Sequence, residues 1–427
     1  MRWQPYNRGG RLAVAVMAVS SLCGAVAYAE IDGITGSTFN LTAKTGYISG
    51  ADGLSLHVWG YANGGGSIQY PGPTLILEEG VPVTINLTNE MPEAVSIVFP
   101  GQESVTASGG DAGVLTREAP PDGMTVVTYT FTPTRPGTYH YHSGTHADVQ
   151  IEMGLVGAII VRPTGYDALD PSTWRAYEHA DSAYDHEYLF LFTEMDYEIH
   201  WKLEYGLTSQ VDTTTFHPVY WFINGRNAPD TMLPAGTPWL PTQPYNCLPR
   251  MHPGERMLLR IIGAGRDMHP FHPHGNNLTV IAKDGRLLES APGLGADLAY
   301  SDFTLASVPG QTVDAIFEWT GEKLGWDIYG HAPGDPLEPN EYAPDHGKPF
   351  PVVLPGQLEI TFGSAYSGSP FLGALGDIPP GEGGLNANAG YFYMWHSHNE
   401  VEMVNNDIFP GGLMTMLIIE PHGVPIP

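Results

Sequence analysis

The stretch YPGPTLILEEGVPVTINLTNEM, residues 70–91, opens on a Pro-Gly turn and then alternates apolar and polar residues, with Val83, Ile85 and Leu87 on one side of the alternation. Side chains two apart share a face of an extended chain, so this is the pattern of a half-buried strand and not of a helix. The segment it begins closes with YTFTPTRPGTYHYHSGTH, a short loop, and EMGLVGAIIVRP, which ends at Pro163. A second segment repeats the plan. LPRMHPGERMLLRIIGAG, residues 248–265, carries the Pro-Gly turn and the apolar strand; YFYMWHSHNEVEM and GGLMTMLIIEP close it at Pro421. Short strands of period two, punctuated by Gly and Pro, predict an all-β chain of two β-sandwiches.

The composition agrees. The 427 residues include 52 Gly, 38 Pro and 22 Tyr, and only 15% are charged, the profile of a turn-rich β protein. The first sandwich is expected over 36–163 and the second over 186–421. Residues 164–185, TGYDALDPSTWRAYEHADSAYD, form a polar linker with a partly helical pattern. Residues 330–390 are rich in Pro and Gly and read as a long loop insertion in the second sandwich. Residues 1–29 resemble an export signal: Arg2, Arg8 and Arg11 precede the apolar run Leu12 to Val26, and Ala27-Tyr28-Ala29 fits the cleavage pattern. The expected product is periplasmic or secreted, with no membrane span. It keeps one cysteine, Cys247, and so no intrachain disulfide. A net charge of −28 excludes nucleic acid and anionic lipid as partners and favours cations.

Eight of the 17 histidines fall in three short strings. YHYHSGTH supplies His140, His142 and His146; HPFHPHG supplies His269, His272 and His274; WHSH supplies His396 and His398. On a strand, His140/His142, His272/His274 and His396/His398 each present two imidazoles to one side. Imidazole suits Cu, Zn, Fe and Ni. A single pair of this kind is more often packing; three pairs in matching parts of two repeated units point to a shared metal site.

These strings resemble the motifs of the multicopper oxidase family, built from Greek-key cupredoxin domains. HPFHPHG is similar to its His-Pro-x-His-x-His-Gly motif, and WHSHNEVEM matches its His-Cys-His-x-x-x-His motif in position and spacing. INGRNAPDTM and GERMLLRIIGAG look like the usual opening of that domain. Two units make the chain similar to the two-domain laccases and copper nitrite reductases, which are trimers with copper between subunits. The resemblance covers Gly36 to Pro421 and implies copper as the cofactor, with Zn, Mn or Fe as the other ions imidazole would accept. It implies a homotrimer and a small-molecule or metal-ion substrate. Carried over position by position, it implies the metal ligands His142, His272, His274, His396 and His398, with His146 as a sixth and His140 as the alternative to it.

The chain departs from the family where blue copper is held. Ser397 stands at the cysteine position, and a neutral hydroxyl cannot supply a copper–thiolate bond. Glu402 replaces the following histidine; His269 alone remains. In the first unit Val98 and Pro100 replace two cluster histidines, Ser143 follows His142, and Gly144 takes a histidine's place. Glu402, Glu400 and His269 could form a mixed N/O site or equally a salt-bridged loop. Met403, Met414 and Met416 read as core, Glu152 and Met153 as packing, and His331 and His346 as surface. The expected function is an exported copper-binding oxidoreductase without blue copper. The alternative is a non-catalytic cupredoxin scaffold that binds a partner or buffers metal. No catalytic residue is assigned.

Overall fold

The computed structural model describes residues 31–320, 334–337, 391–420, 422 and 424–426. The export segment, nearly all of the 330–390 insertion, and His331 and His346 lie outside the described residues.

The first sandwich is built from β1 (Thr38–Ser49), β2 (Ser55–Asn63), β3 (Gly72–Glu78), β4 (Val83–Asn89), β5 (Val127–Phe131), β6 (Gly137–His142) and β7 (Val156–Arg162). One sheet runs β2-β1-β4-β5 and the other β3-β7-β6. The alternation of the opening stretch does what it predicts. Val83, Ile85 and Leu87 are buried against Leu41, Trp59, Leu75 and Tyr129, while Thr84, Asn86 and Thr88 between them are only half-buried.

The second sandwich uses β8 (His186–Met195), β9 (Tyr220–Ile223), β10 (Arg256–Gly263), β11 (His269–Pro273), β12 (Leu278–Lys283), β13 (Leu305–Ser307), β14 (Thr312–Glu318), β15 (Tyr391–Ser397) and β16 (Met414–Ile419). Its sheets run β9-β8-β10-β14-β12 and β16-β15-β11-β13. Phe190, Phe192, Phe271, Trp395 and Leu417 fill the space between them.

The two sandwiches share an apolar seam. Ile48, Leu56, Val58, Val156 and Ile160 from the first pack on Leu189, Leu191, Tyr220, Phe222 and Ile262 from the second. Each such side chain contributes about 1.5–3 kcal/mol by leaving water. Beside the seam lies a buried polar network. Glu187 accepts hydrogen bonds from Arg162 and from Arg260, the latter at 2.8 Å. Arg260 also donates to Thr138 Oγ1 at 3.1 Å, and Thr138 and Tyr177 both donate to Asp314.

The joining segment packs on the second sandwich. Trp174, Tyr177 and Tyr184 are buried against Leu258, Ile281 and Ile316 of the second sandwich. Its helical pattern is realised only as the 3-10 turns Pro171–Thr173 and Ala180–Ser182. Three aromatic rings, spaced among polar residues, outweigh the segment's overall hydrophilicity.

Candidate metal centre

The second-sandwich histidines meet because of strand register. β11 and β15 are antiparallel neighbours, and His272 lies directly opposite His396. His274 and His398 follow at a spacing of two and so fall on the same face. Ring centroids are 4.9 Å apart for His272/His274, 5.0 Å for His272/His398, 5.1 Å for His274/His396 and 5.5 Å for His396/His398. Four imidazoles from two strings more than a hundred residues apart thus form one quartet.

Backbone carbonyls orient two of these rings. His272 Nδ1 lies 2.7 Å from the Phe303 carbonyl and His396 Nδ1 lies 2.7 Å from that of Ser397. An N–H held in this way fixes the tautomer and leaves the lone pair on Nε2, the usual support of a metal-ligating histidine. Burial pushes His272 and His396 below their ordinary pKa, so both are neutral at pH 7. His396 Nε2 and His274 Nε2 are 3.2 Å apart. A shared proton spans that gap, and so would one ion about 2.0–2.1 Å from each nitrogen. That pair fits an ion such as copper. The four rings do not by themselves bring three donor atoms within 4.8 Å of one another; among the described residues only His186, His252 and Glu255 do so.

The first-sandwich histidines form a pair of their own. His140 and His142, at the end of β6, stack with centroids 5.4 Å apart. His142 Nδ1 faces the Ser143 carbonyl at 2.9 Å, which leaves its Nε2 as donor. Burial lowers His142 and takes buried His140 down to about 3. Val98 pairs with His142 across a β-bridge, so the imidazole that the resemblance would place at Val98 has been exchanged for an apolar group beside His142. A Cβ at Gly144 would come within 2.7 Å of Val98 Cγ1, so the glycine leaves no room for a histidine there. His146 is not with them. It sits in a left-handed turn, φ 42°, with its side chain 71% exposed and 3.6 Å from Glu93. Of the two alternatives, His140 accompanies His142.

The blue-copper position holds an ion triad instead of a metal cage. His269 Nε2 lies 2.9 Å from Glu194 and Nδ1 lies 3.0 Å from Glu402, all three side chains being almost fully buried. Burial alone would lower this imidazole, but the two carboxylates outweigh it and hold it up at about 9. Both nitrogens donate, so at pH 7 the ring is a cation with no lone pair for a metal. This overturns the mixed site of His269, Glu400 and Glu402: Glu400 is exposed, and the acids that are used sit on opposite edges of the ring. Ser397 is fully buried on the face away from the quartet. Glu194 escaped notice in the sequence. Its only signal was one acid inside the apolar run YLFLFTEM of β8.

Comparison with known proteins places this geometry. Residues 43–165 match the multicopper oxidase family model. The chain is 33% identical to Laccase 1 of Metarhizium robertsii over 154 residues, which are 34% of this chain and 24% of that protein. It is 27% identical to Copper resistance protein A of Escherichia coli over 280 residues, 59% of this chain and 42% of that one. The chain thus spans less than half the length of either relative. Among solved structures, the blue copper oxidase from Nitrosomonas europaea superposes with a TM-score of 0.55 at 18% identity, over 90% of this chain and 86% of that one. The multicopper oxidase mgLAC gives 0.54 at 20% identity, over 91% and 87%. The fold is therefore the all-β cupredoxin fold of these oxidases, and the first sandwich carries the family's sequence pattern.

Proposed function

We propose that this multicopper-oxidase-like chain is an exported oxidoreductase whose copper is held by His272, His274, His396 and His398 and completed by His142, with His140, from a neighbouring copy. The observation that carries this reading is the register that brings four imidazoles to one face, with Nδ1 of His272 and of His396 held by carbonyls. Copper bound there would exchange single electrons with a substrate and dioxygen. The chain's own part is to orient the Nε2 donors, keep them unprotonated, and leave one side open. His398 and Phe303 are exposed at that side, and exposed Leu115 lies beside Gly144, two residues after His142. Apolar side chains beside two incomplete halves suit contact between copies, head to tail. The trimer of the two-domain relatives is the arrangement proposed. Export is supported by the segment at residues 1–29, and no described helix is long and apolar enough to cross a membrane.

The buried triad at His269 favours a second reading, a copper-holding scaffold without turnover, because no blue copper can feed electrons to the cluster. Oxygen uptake separates the two. With copper loaded, a phenol, a cuprous salt or a ferrous salt should drive oxygen consumption that His396→Ala removes. Copper bound in full with no uptake from any of the three supports the scaffold. Uptake that persists in His396→Ala contradicts the quartet as the site.

A further inference from the structure

His186, His252 and Glu255 come together from two places in the chain and take no part in the centre described above. His186 begins β8, His252 follows the short strand Arg250–Met251, and Glu255 precedes β10. The quartet is distant from them. His396 lies opposite Met414, and Met251 lies beside Ile419 at the other end of β16, roughly 17 Å along the strand.

The donors converge. His186 Nε2 is 2.8 Å from Glu255 Oε2, and His252 Nδ1 is 2.9 Å from Glu255 Oε1. One ligand atom from each lies within 4.8 Å of the other two. The carboxylate is held in place by the His252 backbone N–H, which donates to it at 2.6 Å. His252 Nε2 faces the Val424 carbonyl at 2.8 Å, so the ring nitrogen away from Glu255 is fixed by a backbone acceptor. His422 stacks on His252 with centroids 5.5 Å apart. The side chains of His186 and His252 are 13% and 15% exposed, and Glu255 is 27% exposed, so the cluster is shielded yet reachable.

We propose that His186, His252 and Glu255 form a second metal site for a borderline divalent ion of the zinc type. Two imidazoles and one carboxylate are a donor set such an ion accepts at four-coordinate geometry, with water completing the fourth position. Bound there, the ion ties the end of the joining segment, the turn before β10 and the chain end at Val424 to one point. A carboxylate that merely hydrogen-bonds two histidines would do so less strongly, and zinc itself distinguishes the cases.

The test is titration of the full-length exported protein with zinc chloride by calorimetry, with bound zinc counted after gel filtration. The His186→Ala, His252→Ala variant is expected to hold about one zinc per chain fewer than wild type. Glu255→Gln keeps the size of the side chain and one acceptor oxygen, so it separates loss of a ligand from gross loss of folding; it should weaken the same equivalent. His274→Ala, His398→Ala should retain it, since the quartet is a different place. The proposal is overturned if the double variant binds as much zinc as wild type, if Glu255→Gln binds as tightly as wild type, or if the quartet variant loses every equivalent.

Discussion

His274→Ala combined with His398→Ala is expected to lose nearly all bound copper, at least a roughly tenfold drop in metal per chain after export and dialysis. The expectation follows from where these two rings sit. His274 Nε2 is the nitrogen 3.2 Å from His396 Nε2, and His398 closes the other side of His272 with centroids 5.0 Å apart. Removing both leaves one ring on each strand, His272 and His396, whose centroids are 5.7 Å apart. The fold should survive, because His398 is exposed and His274 only half-buried, so neither truncation opens the core. Elemental analysis beside a melting curve checks both points. Copper content equal to wild type in a folded variant would refute the ligand assignment. The zinc proposed at His186, His252 and Glu255 should be untouched in the same sample.

Glu187→Ala is expected to have the largest effect on stability, about 3–5 kcal/mol, because it strips the carboxylate from two buried guanidinium groups. Arg162 and Arg260 converge on Glu187 from the two sandwiches, and all three side chains are buried. Burial by itself would raise the Glu187 carboxyl, yet the two arginines hold it down at about 2. A carboxyl depressed in the folded state adds stability above its unfolded pKa of about 4.5, and that stability is lost as pH falls through the folded value. Wild type should therefore lose stability between pH 4.5 and 2 by an amount that the variant does not. Asp314 runs the other way, since burial pushes its carboxyl up. The difference between wild type and variant isolates Glu187. Urea unfolding at pH 7 and pH 2.5 measures it. A midpoint shift worth under about 1 kcal/mol would mean that the network is wet or replaceable.

Much of this molecule is legible in its sequence, and what is not has a physical reason. Strand alternation at Val83, Ile85 and Leu87 is local, so the sandwiches can be read directly. The His-x-His pairs are local too, and spacing alone puts two rings on one side. The meeting of His272 with His396 depends on register between strands that are far apart in the chain; only the resemblance to multicopper oxidases suggested it. The replacement at Ser397 shows that the thiolate is missing but not what fills the pocket. That required Glu194, a residue on another sheet whose role exists only after folding. His146 misled because spacing of two beyond Gly144 resembles a strand, whereas the chain there turns through a left-handed residue into the short helix Ala147–Gln150. The joining segment misled for the opposite reason: its polar composition hid three anchoring aromatics, Trp174, Tyr177 and Tyr184. His186, His252 and Glu255 carried no motif at all, because the start of a strand and a distant turn bring them together.

The imidazoles of the second sandwich are proposed to hold copper, completed by the first sandwich of another copy, while the pocket at His269 holds a proton. A crystal structure of the copper-loaded protein, with anomalous data at the copper edge, measures this directly. The account predicts a copper peak bonded to Nε2 atoms of His272, His274, His396 and His398, with His142 of a neighbouring copy closing the site. A peak at His269 between Glu194 and Glu402, or a quartet without copper in the loaded crystals, would contradict it.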